Sequence, residues 1–362
     1  MKIKIVFTAL ILVCLVSFST MQAQTKTENI VLVTLDGLRW QEVFGGADST
    51  LLKDKNYTHD YESTSAVFWN NNLTERRKKL FPFLWSVVAQ NGQLHGNRIA
   101  GSKVNVANPY QFSYPGYNEI FTGFPDPAVN SNDKILNKNS NVLEFINQQK
   151  EFKGKVAVFS SWDTFPYILN EPGSGVYVNS DTDTINFKNP NLKLINDLQF
   201  LTPRPVGVRP DVITYMAGRE YFKAYHPRIL YIAFDETDDL AHAGMYDQYL
   251  NSAHAEDAML ADIWNIIQSD PRYKNKTTLI ITCDHGRGDL IKDQWKDHGE
   301  KIKESGETWL AVIGPDTKTT GEVKTPEQLF QKQYAATIAA LLGLKFTANH
   351  PIAEPIVDVY TK

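Results

Sequence analysis

Five short apolar runs, each ending at or running into an aspartate, restrict the folds open to this chain. Each run is rich in β-branched or aromatic residues and is too short for a buried helix, so each predicts an interior strand of a mostly parallel sheet. The runs are NIVLVTLDG (29–37), KVAVFSSWD (155–163), RILYIAFDE (228–236), TTLIITCDHG (277–286) and TWLAVIGPD (308–316).

Helical patterns lie between these runs, at 140–149, 249–268 and 325–343. The last pattern has Thr325 as a helix N-cap, Pro326 at the first helical position and a glycine just past the end. Strands alternating with helices are typical of a layered α/β domain. The sequence therefore predicts a three-layer α/β/α sandwich around a mostly parallel central sheet.

The first residues differ in character from the rest of the chain. Two lysines precede an apolar run that ends near a small residue, which predicts a signal peptide over residues 1–23 and export to the periplasm or beyond the cell. Residues 24–362 are then expected to form one domain. The segments near 45–80 and 170–225 are rich in Asn, Pro and Gly, and we interpret them as excursions from that domain.

Charge and cysteine content exclude some classes of partner. The net charge of -4, from 37 basic and 41 acidic residues, predicts no general affinity for nucleic acid. After signal cleavage no membrane anchor is expected, and Cys283 remains as a lone thiol, most consistent with a small buried strand residue. A small molecule is the expected partner, and the sequence does not indicate an oligomeric state.

Acidic and histidine side chains gather where the predicted strands end. In such sheets ligands bind at the carboxyl ends of the strands, and carboxylates with neutral imidazoles are the ligands of catalytic zinc. Each residue also has a simpler interpretation, because a strand-terminal aspartate often caps a helix or starts a turn. Taken jointly, six such residues suit two metal ions: Asp36, Asp238, His242, Asp284, His285 and His298.

The order and spacing of these motifs resemble the alkaline phosphatase superfamily, and within it the nucleotide pyrophosphatase/phosphodiesterase branch. The matching pieces are LDGLR, SYPGYNEIFTG, DDLAH, DHG and a late HG, which together span residues 35–299. Each piece is weak by itself, whereas their order along most of the chain is specific.

The resemblance implies a role for each matching residue. Asp36, Asp284 and His285 would hold one divalent metal, which also binds the hydroxyl of the nucleophile Ser113. Asp238, His242 and His298 would hold a second metal, and zinc is the expected ion at both sites. Coordination to a metal lowers the pKa of a serine hydroxyl, so that the alkoxide can attack phosphorus.

Residues 113–117 depart from the pattern of the branch, which has threonine followed by Phe-Pro-Asn. Here the asparagine is missing, so we expect Asn118 to bind the substrate oxygens, with Asn130 or Asn132 as alternatives. We also expect Tyr114 and Trp162 to form a wall that stacks against the substrate.

The same residues test a sulfatase interpretation. Sulfatases share the fold, but they oxidise the residue at this position within C/S-x-P-x-R. Residues 113–117 read S-Y-P-G-Y, with Tyr117 in place of the required arginine. Ser113 is therefore expected to remain a serine.

The sequence thus predicts an exported two-metal hydrolase of phosphodiesters or nucleotide pyrophosphates that works through a phosphoserine intermediate. Alternatives within the same superfamily are a phosphomonoesterase, a phosphonate hydrolase and a phosphomutase. A non-catalytic binding protein on the same scaffold is a further alternative, although every ligand position holds a competent residue.

Overall fold

The computed structural model describes residues 25–185, 189–204 and 207–360. The predicted signal peptide over residues 1–23 lies outside these ranges. Within them, no helix is long and apolar enough to cross a bilayer.

The chain alternates strands and helices, as the five apolar runs predicted. The strands are β1 Asn29–Leu35, β2 Gln93–His95, β3 Ser102–Asn105, β4 Val156–Ser160, β5 Tyr177–Ser180, β6 Ile229–Phe234, β7 Thr277–Thr282, β8 Glu307–Thr308, β9 Leu310–Ile313, β10 Gly321–Glu322 and β11 Glu327–Phe330. The α-helices are α1 Trp40–Gly45, α2 Ser49–Lys53, α3 Tyr61–Phe68, α4 Leu73–Leu80, α5 Ala89–Asn91, α6 Ser113–Thr122, α7 Val142–Gln148, α8 Phe165–Ile168, α9 Glu171–Ser174, α10 Pro190–Leu201, α11 Asp211–Tyr225, α12 Glu236–His242, α13 Tyr246–Ser269 and α14 Tyr334–Leu341.

Eight strands form the central sheet in the order β10-β2-β9-β7-β1-β6-β4-β5. β1 lies in the middle and pairs in parallel with β6 on one side and β7 on the other. Of the eight, β9 alone is antiparallel to its neighbours. A second sheet of three strands has the order β11-β3-β8.

Both faces of the central sheet are covered, and β1 shows how. Its side chains alternate between faces because successive residues of a strand point in opposite directions. Val31, Val33 and Leu35 belong to one core cluster, with residues of α11 and α13, whereas Ile30 and Leu32 belong to another, with residues of α6, α7 and α14. The predicted three-layer sandwich with a mostly parallel sheet is confirmed.

The aspartate that follows β9 does not lie with the other strand-end acids, because β9 is antiparallel to its neighbours. Asp316 follows β9, but that strand runs opposite to β1, so the aspartate reaches the amino end of β1. There its carboxylate accepts hydrogen bonds from the backbone N–H groups of Lys26 and Thr27. Asp316 therefore ties down the start of β1, at the edge opposite to the other strand-end acids.

The predicted helix over 325–343 is wrong in its first half. Residues 327–330 instead form β11, which pairs in parallel with β3, and a 3₁₀ turn then leads into α14. Glu327 accepts a hydrogen bond from His95, so pairing with distant residues overrides the local N-cap pattern at Thr325. Gly343 lies just past the end of α14, as expected, with a positive φ of 71°.

The two segments interpreted as excursions differ in structure. The segment near 45–80 contains α2, α3 and α4, which pack against α13. The segment near 170–225 contains β5, the edge strand of the central sheet, together with α9, α10 and α11.

Candidate active site at the carboxyl edge of the sheet

Three neighbouring strands deliver acids to one edge of the sheet. Asp36 directly follows β1, Asp284 lies two residues beyond β7, and Asp238 lies in the first turn of α12, just after β6. Because β1 lies between β6 and β7 and all three run parallel, their carboxyl ends are adjacent.

Asp36, Asp284 and His285 form the first ligand group. Their ligand atoms lie within 4.8 Å of one another, and all three residues are buried. His285 Nε2 lies 3.3 Å from Asp36 Oδ1 and 3.4 Å from Asp284 Oδ2.

The carboxylates of the first ligand group are short of partners. Asp36 Oδ1 and Asp284 Oδ2 are buried, and neither accepts a hydrogen bond. Burial raises the pKa of both carboxyl groups well above the usual range, and repulsion between acids adds to it. Two unpaired buried oxygens beside an imidazole nitrogen fit a divalent cation, which would supply the missing positive charge.

Ser113 begins α6 and lies against the first ligand group. Its side chain is buried, and its Oγ lies 3.3 Å from His285 Nε2. The preceding Phe112 is extended, with φ of -143° and ψ of 177°, so the chain turns into the helix at the serine.

Two glycines allow this close approach. A Cβ at Gly116 would lie 2.5 Å from the backbone oxygen of Asp284, so an asparagine cannot occupy this position without a shift of α6 or of the residues after β7. Gly37 has a φ of +60°, and a Cβ there would lie 2.6 Å from Asp238 Oδ1. The glycine at residue 116 thus matches how tightly α6 packs on the residues that follow β7.

Asp238, His242 and His298 form the second ligand group, again with ligand atoms within 4.8 Å of one another. His242 Nε2 lies 3.1 Å from Asp238 Oδ2 and 3.0 Å from His298 Nε2. This group is closer to solvent, since the side chain of His242 is 42% exposed. Asp238 Oδ1 also lies 3.7 Å from His285 Nε2, which connects the two groups.

The electrostatics of the second ligand group differ from those of the first. Burial alone would raise the pKa of Asp238, but Arg287 and then His298 and His242 outweigh burial and hold that pKa well below its usual range. Burial, with repulsion from His285, lowers the pKa of His298 and keeps its imidazole neutral, as a metal ligand must be.

Tyr117, the residue in place of the sulfatase arginine, supports the first ligand group. It is fully buried on α6, and its hydroxyl donates a 2.9 Å hydrogen bond to Asp36 Oδ2. Asp36 Oδ1 is left facing His285. Sequence reasoning identified the position of Tyr117 but not this contact, which depends on how α6 packs against β1.

Two side chains that were predicted to contact substrate form hydrogen bonds within the fold. Asn118 is buried, accepts a hydrogen bond from Asn137 and donates one to the backbone oxygen of Phe124. Tyr114 is also buried, and its hydroxyl donates to the backbone oxygen of Ile135. Both side chains stabilise the loop after α6, and neither belongs to the site proposed below.

Asn132, an alternative at the sequence level, lies beside the nucleophile. Its Oδ1 accepts a 2.9 Å hydrogen bond from the backbone N–H of Tyr114, the residue after Ser113. Trp162 lies just beyond β4, half-buried, with its ring 6.4 Å from that of Phe165. In the sequence, Asn132 was marked only by its place in an Asn-rich segment near Ser113.

The fold is that of the alkaline phosphatase superfamily. The alkaline phosphatase PafA superimposes with a TM-score of 0.63 at 9% identity, covering 93% of this chain and 99% of that one. A phosphonate monoester hydrolase from Agrobacterium radiobacter gives 0.56 at 14%, covering 92% and 77%. The lipoteichoic acid synthase LtaP from Listeria monocytogenes gives 0.56 at 13%, covering 89% and 73%.

The family is narrower than the fold. Residues 47–362 match the family model for type I phosphodiesterase / nucleotide pyrophosphatase, so the chain belongs to that family. The resemblance inferred from the sequence motifs is confirmed. No curated protein matches the chain. Family and fold together make the protein a phosphoester hydrolase of a metal-dependent superfamily.

Proposed function

We propose that the protein hydrolyses phosphodiesters or nucleotide pyrophosphates, with Ser113 as the nucleophile between two metal-ligand groups. The observation that carries this proposal is the 3.3 Å distance from Ser113 Oγ to His285 Nε2, inside a group with two unpaired buried carboxylate oxygens. A serine that lies among metal ligands needs no separate histidine base.

The two ligand groups suit two divalent cations, with zinc as the ion that carboxylate and imidazole ligands favour. When bound, such ions would lower the pKa of the Ser113 hydroxyl and stabilise the attacking and leaving oxygens of an in-line displacement. Ser113 Oγ would then bond to phosphorus as the leaving-group oxygen departs. Water would hydrolyse the phosphoserine ester and regenerate the serine.

Asn132 is the residue that we propose for binding a phosphoryl oxygen. Its Oδ1 is held by the N–H of Tyr114, so its Nδ2 is the group left to donate next to Ser113. Asn132 therefore replaces Asn118 in this role. Trp162 remains the predicted wall for the leaving group.

The charges near the nucleophile favour a diester over a monoester. Arg287 is a cationic side chain that the contacts bring near the nucleophile, because it pairs with Asp238, whose Oδ1 lies 3.7 Å from His285 Nε2. Since Arg287 already has a carboxylate partner, the second negative charge of a monoester gains little from it. We also propose export, from the sequence of residues 1–23.

The test is a substrate comparison with a nucleophile variant. Purified protein is expected to bind about two zinc ions per chain and to hydrolyse bis-p-nitrophenyl phosphate faster than p-nitrophenyl phosphate or a phosphonate monoester. Ser113→Ala is expected to lose at least about 10³-fold in kcat while keeping its zinc, because only the attacking atom is removed.

Ser131→Ala is the matched control, since that serine hydroxyl bonds Asp133 in the loop beside Asn132 and contacts no ligand group. It should retain wild-type kinetics. If Ser113→Ala hydrolysed the diester at the wild-type rate, another group would be the nucleophile. Faster turnover of the monoester would instead favour a phosphatase.

A further inference from the structure

Arg287 is a fully buried cation at the point where the two ligand groups meet. It follows the DHG motif, two residues after His285, and its side chain has no exposed surface. Its Nη1 and Nη2 both lie 3.0 Å from Asp238 Oδ1, and its Nη2 also donates to the backbone oxygen of Asp238. A guanidinium bound to both the carboxylate and the backbone oxygen of one aspartate cannot turn away without breaking both hydrogen bonds.

The surroundings of Arg287 are strongly acidic. Asp36, Asp235 and Asp284 are buried close to Asp238. Asp238 is the acid whose carboxylate pairs with Arg287. Arg287 is thus a buried positive charge among four buried acids.

The contact also decides which oxygen of Asp238 is available. Arg287 occupies Oδ1, which lies 3.7 Å from His285 Nε2 of the first ligand group and 3.7 Å from His298 Nε2 of the second. Oδ2 remains, 3.1 Å from His242 Nε2. The oxygen that Arg287 leaves free is therefore the one beside a histidine of the second ligand group.

We propose that Arg287 is a positioning residue that commits Asp238 to the second ligand group and serves as its counter-cation before metal binds. This inference rests on the proposed metal groups. A bound metal supplies positive charge to the same acids, so the charge of Arg287 matters most to the metal-free protein. Its geometry, by contrast, matters in both states.

The experiment measures melting temperature with and without zinc. Arg287→Met keeps the length of the side chain but removes its charge. In the metal-free protein it is expected to lower the melting temperature by roughly 5–10 °C, because it leaves a buried charge unpaired. In saturating zinc the loss should be about half of that or less, so zinc should raise the melting temperature of this variant more than that of the wild type.

Arg209→Met is the matched control. Arg209 is equally buried, but it bonds Thr214, Asn179 and the backbone of Ser160, outside both ligand groups. Its substitution should lower the melting temperature by the same amount with and without zinc. If Arg287→Met behaved in this way, or had no effect without zinc, the inference would be overturned.

Arg287→Lys separates charge from geometry. A lysine keeps the charge but offers a single nitrogen instead of a planar fork. The metal-free melting temperature is expected to fall by only about 3 °C. The Co(II)-substituted protein should show an altered visible spectrum from the second ligand group, and kcat should fall about 10–100-fold. An unchanged spectrum and kcat would overturn the positioning role.

These outcomes are distinct from a failure of the proposed function. If the wild-type protein bound no zinc, the assignment of the two groups as metal sites would fail, and the proposed function would fail with it. Arg287→Met protein that folds only when zinc is present during production would support the inference, since metal then replaces the missing charge.

Discussion

The two ligand groups hold similar residue types in different settings, and the difference is one of charge and access. The first, with Asp36, Asp284 and His285, is entirely buried, and two of its oxygens lack donors. The second has an exposed histidine and a carboxylate already paired with Arg287. The first group therefore depends on a cation from outside, whereas the second is partly neutralised by the protein itself.

The two ligand groups are therefore expected to differ in how tightly they bind metal and how fast they exchange it. A cation in the first ligand group would be enclosed by protein and would hold the nucleophile Ser113. A cation in the second would lie nearer to solvent and would bind against the repulsion of Arg287. We therefore expect the first group to bind metal more tightly and to exchange it more slowly.

Removing one ligand from each group is expected to have the largest effect and tests whether the two groups differ in metal binding. Asp284→Asn is expected to lose one zinc ion and at least about 10³-fold in kcat/KM, without recovery in excess zinc. His242→Ala is expected to lose about 10–100-fold and to recover much of its activity as zinc is added, because the weakened site is accessible.

Metal content by atomic emission, measured beside the kinetics, checks both variants. Equal losses with equal recovery would mean that the two groups do not differ as their burial suggests. Loss of both ions from His242→Ala would show that the first group cannot hold metal by itself.

A buried acid outside both groups provides the reference for burial without metal. Asp257 accepts hydrogen bonds from the N–H groups of Phe83 and Leu84, and burial raises its pKa from 3.8 to about 7. The folded state thus binds the proton more tightly than the unfolded state does. Its contribution to stability is greatest below about pH 4 and falls as pH rises to about 7, by roughly 4 kcal/mol.

Urea unfolding of wild type and Asp257→Asn at pH 4 and pH 8 measures this effect. The wild type should lose more stability than the variant between the two pH values, and zinc should not change the difference. A zinc-dependent difference would mean that Asp257 is coupled to a ligand group, contrary to its contacts.

The smallest expected effect concerns the hydrogen bond from Tyr117 to Asp36 in the first ligand group. Tyr117→Phe removes the hydrogen bond to Asp36 Oδ2, so zinc affinity should fall about 10-fold with little change in melting temperature. Tyr231→Phe is the matched control, since that buried hydroxyl bonds Thr34, which belongs to neither ligand group. Competition with a chromophoric chelator gives the zinc affinity of both variants. An equal loss of zinc affinity in the two would mean that the loss of any buried hydroxyl nearby weakens zinc binding, and not the loss of the hydrogen bond to Asp36.

Much of the fold could be predicted because its signals are local. The runs that became β1, β6 and β7 are continuous apolar segments, and a strand buried on both faces requires such a segment. The error at 325–343 has the opposite cause. Its residues have a helical pattern, but β3 offers a partner strand and His95 offers a partner for Glu327, and neither is visible locally.

The candidate site divides in the same way. The acids and histidines could be proposed as metal ligands from the sequence because they are specific residue types that follow predicted strand ends, and the structure brings them together in two groups. The sequence could not choose between Asn118 and Asn132, because a loop must fold before it is known which amide lies beside Ser113. The role of Gly116 likewise appears only when α6 is packed against Asp284.

The sequence by itself thus determined the class of fold, the chain order of the candidate ligand residues and the place of Ser113 in that order. These depend on apolar periodicity and residue chemistry, which are properties of short segments. Only the tertiary structure decided that Asp316 lies at the opposite edge, that Tyr117 supports Asp36 and that Arg287 holds Asp238. Each of these depends on strand direction or on contacts between distant segments, which exist only once the chain has folded.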